Sequence, residues 1–166
     1  MLRSLLLSTS GRPSATLARL VLAAVMFPHG AQHALGWFGG YGFSGTLGWM
    51  TGTLGFPAPL AALAIATELV APILLLVGLA GRPAALGIAG IMIGAASTHL
   101  SNGFFMNWFG QLPAGAEGFE YHVIVLALSG VVAIEGSGAA ALDLLVARRV
   151  RTRAAGREVL AAARAA

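Results

Sequence analysis

The chain has 166 residues, 57% of them hydrophobic and 10% charged, with a net charge of +4 and no cysteine. Soluble domains average ~45–50% apolar and ~25% charged residues, and so short a chain cannot bury that excess in its own core. A lipid bilayer is the second apolar phase it needs; the missing cysteines exclude disulfides and thiolate chemistry, and basic residues gathered near the ends suit anionic headgroups, not nucleic acid.

A bilayer core of ~30 Å needs ~20 apolar helical residues, and four segments approach that length. The first covers about 17–37, behind Arg3, Arg12 and Arg19, and ends in His29-Gly-Ala-Gln-His33 and Trp37. Its apolar run has signal-peptide length, but a stretched basic start and no small-residue cleavage site favour a retained span. A loop with Tyr41, Phe43, Trp49 and Phe56 follows, in which a short interfacial helix is expected near 46–54. The second span, about 59–79, opens on a proline, where a missing N–H costs nothing, and carries Glu68 nine residues in.

Gly81-Arg82-Pro83 makes a tight connection to the third span, about 83–100. There Gly90 and Gly94 form a small-xxx-small pair expected to pack within the bundle, and His99 lies near the end. A second aromatic loop, with Phe104, Phe105, Trp108 and Phe109, leads to the fourth span, about 120–137, which starts with Glu120 and His122. Residues 1–145 therefore read as an all-α, four-helix transmembrane bundle. Residues 146–166 read as a basic cytoplasmic tail, and Leu142, Leu145, Val146 and Val150 have the spacing of an amphipathic helix on the inner surface.

Arg3, Arg12 and Arg19 precede the first span, Arg82 joins the second to the third, and the other six arginines follow the fourth. The two remaining loops have none. The positive-inside rule makes the arginine side cytoplasmic, so both termini are expected inside, in the cytoplasmic (inner) membrane of a bacterium.

This topology puts His29, His33, Glu68, His99, Glu120 and His122 in the outer half of the bundle, on four helices, with nothing comparable expected in the inner half. A carboxylate inside a bilayer costs at least ~2.5 kcal/mol, so Glu68 must face the interior and be protonated, bonded to histidine or bound to a cation. His29 and His33, four apart, share one helix face.

Three uses fit such a set. One is interhelical fastening in a non-catalytic scaffold subunit. Another is a divalent metal site drawing on His29, His33, Glu68 and His99. The third is proton handling by Glu68 and His29 beside a quinone or small sulfur compound, with His33, His99, Glu120, Trp37 and Trp108 lining the pocket. No phosphate loop, dinucleotide fingerprint, zinc-protease pattern or nucleophilic triad is present.

The segments HGAQHALGWFGG at 29–40, TELVAPILLLVGLAGR at 67–82, HLSNGFF at 99–105, GFE at 118–120 and GSGAAALD at 136–143 stand in characteristic order. In order and spacing they resemble the DoxX family of small four-span bacterial membrane proteins. The resemblance implies a link to quinone-dependent sulfur oxidation, because relatives include a subunit of a thiosulfate:quinone oxidoreductase. It implies partner redox subunits and a quinone cofactor. His33 stands where many members carry lysine, which replaces a permanent charge with a titratable, metal-competent group. An anionic substrate would then depend on protonated histidine, since the outer side has no arginine or lysine. The oligomeric state stays open, a homo-oligomer included.

Overall fold

A computed structural model describes residues 9–113 and 116–149, and every regular element among them is helical. In chain order these are α1 (Pro13–Leu35), α2 (Gly42–Gly52), α3 (Ala58–Val77), α4 (Gly81–His99) and α5 (Glu120–Glu135), with 3-10 turns at Trp37–Gly39 and Leu100–Asn102. A further helical stretch covers 142–149, with Leu142 and Leu145 exposed. Arg3 and residues 150–166 of the basic tail, Val150 included, lie outside the described residues.

The boundaries follow local chemistry. α1 starts a turn earlier than 17 because Pro13 is tolerated at the first helical position. It stops at Leu35, where Gly36 turns left-handed and its N–H caps the Ala31 carbonyl, so Trp37 belongs to the next turn. α4 starts at Gly81, which leaves Pro83 inside its first turn. The expected interfacial helix is α2, displaced a turn toward the N-terminus.

α1 packs on α3, α3 on α4, α4 on α5 and α5 back on α1, a closed ring of four helices, with α2 laid against α1 and α3. Leu22, Met26, Leu75, Ile88, Val125 and Val132 fill the middle. Around the outside Leu17, Leu63, Leu76, Leu86, Ile93 and Ile134 stand 59–77% exposed. Each would forgo ~1.5–3 kcal/mol of burial in water, so this belt is a surface for lipid. α1, α3 and α4 with its extension to Asn102 are long and apolar enough to cross a membrane.

Two expectations need correction. Gly90 and Gly94 meet no other helix, the space beside each being open, whereas Gly87 closes on Thr67 Cγ2. The glycine of α4 that another helix approaches is thus Gly87, nearer the turn from α3. Nor is the arginine-bearing end bare of buried polar groups. Arg19 lies less than two turns inside α1 and is 2% exposed. Its Nη1 donates to the Leu75 and Leu76 carbonyls (2.5 and 2.9 Å), and Nη2 to those of Ala139 and Ala140 (3.4 Å each).

Carbonyls in the last turn of α3 run short of donors within the helix; Leu75 keeps the Gly78 N–H (3.1 Å), and Arg19 adds a second donor to it and one to Leu76. Asp143, equally buried, accepts from the Ala80 and Gly81 N–H groups (2.9 and 3.3 Å) and from Ser137 Oγ (2.6 Å). Those amides open α4, where a carboxylate also suits the helix dipole. One charge thus closes each side of the α3–α4 turn.

Candidate functional site

α1 and α3 pass in close backbone contact at Gly30. A Cβ there would strike the Glu68 carbonyl and Leu69 Cα, so only glycine permits this approach. Four residues past Glu68, Pro72 lacks the N–H that would bond that same carbonyl. The close pass and the missing donor therefore fall on one peptide group. About a turn further along α1, His33 faces the Glu68 side chain. His33 Nδ1 and Glu68 Oε2 are 2.5 Å apart, with the carboxylate side chain 7% and the imidazole 32% exposed. With Glu68 ionised, Nδ1–H is the donor, and Nε2 is left as an acceptor, or as a second donor once the ring is protonated.

His29, one turn back, lies against the Tyr121 ring of α5 (centroids 5.7 Å) and within electrostatic reach of Glu68 and His33. Tyr121 donates its hydroxyl to Met26 Sδ (3.4 Å) and meets His122 edge-on at 5.7 Å. The buried His122 ring in turn faces His99 at 5.0 Å.

Of the expected residues, the fold joins Glu68 to His33, sets His29 beside them, and gathers His99 with His122. Glu120, Trp37 and Trp108 are engaged elsewhere. Glu120 Oε2 accepts from the Met106 N–H and from Trp108 Nε1–H (3.2 and 3.0 Å), tying down the loop before α5. Trp37 stands exposed beyond α1, edge-on to Phe38. Among the described residues no three His, Asp or Glu side chains are grouped to hold a metal ion, so His29, His33, Glu68 and His99 do not assemble as one ligand set. Gly30, Pro72 and Tyr121 shape the site without standing out in the sequence; a proline four residues after a buried carboxylate was the one readable sign.

No curated protein and no solved structure matches the chain. The DoxX family model matches residues 14–101, which hold nearly all of α1 through α4, while the similar segments at 118–120 and 136–143 lie beyond that stretch. With more than half of its length matched, His33 and Glu68 included, the chain is a membrane protein of the DoxX family.

Proposed function

We propose that the chain is the membrane subunit of a redox complex and that the His33–Glu68 pair receives a quinone head. One observation carries this reading: a buried carboxylate is bonded to an imidazole whose second nitrogen remains available at a half-buried surface. The donor set fits a quinone. Quinone carbonyls accept hydrogen bonds and quinol hydroxyls donate them, and Nε2 serves either as His33 gains or loses a proton.

When bound, a quinone supplies two-electron, two-proton chemistry. Glu68 orients the His33 ring through Nδ1–H and supports positive charge on it. His33 passes the proton at Nε2, and His29 stands by as a second proton store. Electrons come from a partner subunit. No arginine or lysine occurs between 20 and 81 or between 83 and 147, so an anionic sulfur donor is held by that partner and not by this chain.

In this reading α5 is a fourth crossing, its 16 residues reaching ~24 Å. The arginine-bearing end faces the cytoplasm, and the tail arginines meet anionic headgroups there. The pair then lies toward the outer leaflet of a bacterial inner membrane.

A plain helix fastener would use the same pair, since it ties α1 to α3, and titration separates the two readings. Purified protein in lipid nanodiscs is titrated with a short-tailed quinone. Glu68→Gln keeps an acceptor for Nδ1–H but cannot carry charge, and is expected to weaken binding at least tenfold, about 1.4 kcal/mol. Equal affinity in native, Glu68→Gln and His33→Leu proteins would discard the quinone site and leave the fastener.

A further inference from the structure

The second histidine pair takes no part in the site above. We propose that His99 and His122 form a binding site for one divalent transition cation of the zinc type. The two rings come from different helices: His99 ends α4, and His122 is the third residue of α5. Backbone bonds close the chain between them, from Gly118 N–H to the Phe105 carbonyl (3.1 Å), Phe119 N–H to Gly103 (3.2 Å) and Glu120 N–H to Phe104 (2.8 Å). Gly118 runs so near the Gly103 and Phe104 backbone that a Cβ would not fit. These bonds hold the two ring-bearing segments side by side without an ion, as a preorganised site requires.

The geometry suits one ion. The ring centroids are 5.0 Å apart and the planes inclined at 38°. With Zn–N at ~2.0–2.1 Å and about 1.2 Å from nitrogen to ring centre, two imidazoles at a tetrahedral angle have centroids roughly 5 Å apart.

The nitrogens are also prepared. His99 Nδ1–H donates to the Glu117 carbonyl (2.7 Å), which Asn102 Nδ2 also approaches (3.1 Å). That bond fixes the neutral tautomer with its lone pair on Nε2, the outer hydrogen bond that a metal-bound histidine generally makes. His122 is 7% exposed, and its buried Nδ1 has only a poorly aligned contact with the Phe119 carbonyl, three residues back, in place of a full hydrogen bond. Such an unsatisfied nitrogen is costly until something engages it. With no arginine or lysine from 83 to 147, and with Glu117 and Glu120 nearby in the chain, the local charge favours a cation.

No third His, Asp or Glu side chain joins the pair among the described residues, so water completes the coordination and the site stays open. The ion clips the end of α4 to the start of α5 and stiffens the loop that carries Trp108.

Equilibrium dialysis of the purified full chain in nanodiscs against Zn2+ alone tests this, with Co2+ absorption reporting the ligand geometry. One equivalent is expected to bind to the native, His33→Leu and Glu68→Gln proteins alike, which keeps this outcome separate from that of the quinone titration. Affinity is expected to fall at least tenfold in His99→Gln and in His122→Gln, with helix content checked by circular dichroism. Should the buried His122→Gln variant fail to fold, the half-buried His99→Gln variant decides alone. Absence of binding to the native chain, binding that survives loss of both rings, or binding lost with His33→Leu would each overturn the proposal.

Discussion

At the arginine-bearing end Arg19 reaches four carbonyls and Asp143 collects three donors, while at the histidine-bearing end Glu68 bonds His33 and His33 keeps a nitrogen free. Both ends bury charge, but they use it differently. A polar network whose members are nearly all satisfied rigidifies one arrangement; here it replaces the missing donors and acceptors on either side of a helix turn. A pair left open on one side has capacity for a ligand. The contrast separates a charge whose bonds are nearly all filled from one whose partner stays open more sharply than burial does, since Arg19 and Glu68 are both buried.

The largest effect that could break this contrast lies in Arg19→Ala. It removes the charged donor shared by the Leu75 and Leu76 carbonyls, of which Leu75 keeps the Gly78 N–H, and hydrogen bonds to a charged group are worth ~1.5–3 kcal/mol. Thermal or denaturant unfolding in detergent is expected to show a loss of about 3 kcal/mol, with quinone affinity per folded molecule unchanged. A variant as stable as the native chain would remove the structural role.

Next in size is Gly30→Ala, whose Cβ meets backbone that cannot yield. Overpacking of this kind costs ~1–3 kcal/mol and should separate Glu68 from His33, lowering stability and quinone affinity together. Gly90→Ala has open space beside it and is the matched control, expected to stay neutral or gain up to ~1 kcal/mol from helix propensity. If both substitutions behave alike, the close pass does not hold the pair.

The smallest effect belongs to Trp108→Phe, which removes the indole N–H donated to Glu120. Being exposed, it should cost under ~1 kcal/mol, visible as faster amide exchange at 104–108 and not as a shift in melting. A change in quinone affinity would return Trp108 to the pocket.

The helices were legible from apolar length, but the local signals that set their ends, Pro13 and Gly36 for α1 and Gly78 for α3, went unused, so 17–37 and 59–79 miss the true bounds by up to four residues. Burial of Glu68 was legible from its cost in lipid. Which histidine it meets was not, because the i, i+4 spacing of His29 and His33 gives a shared face but no neighbour. The choice falls to the Gly30 crossing, which sets the height of α1 against α3. Glu120 shows the same limit. Its place at the start of α5 was readable, but its carboxylate turns to the loop through pairings with no periodicity. Arg19 was misplaced because charge counting treats every arginine as a headgroup residue; its spacing from Ala15 and Leu22, both buried, was the overlooked sign.

The α3–α4 turn carries a consequence for biosynthesis. Its two closing charges are far apart in the chain, Arg19 in α1 and Asp143 in the helical stretch that follows α5. Chains fold from the N-terminus as they are made, so α3 and α4 leave the ribosome with Arg19 already available and Asp143 not yet translated. The turn waits half-sealed until the final segment arrives. The lock closes only once residue 143 has been made, and a chain cut short before it lacks the carboxylate that receives the Ala80 and Gly81 N–H groups.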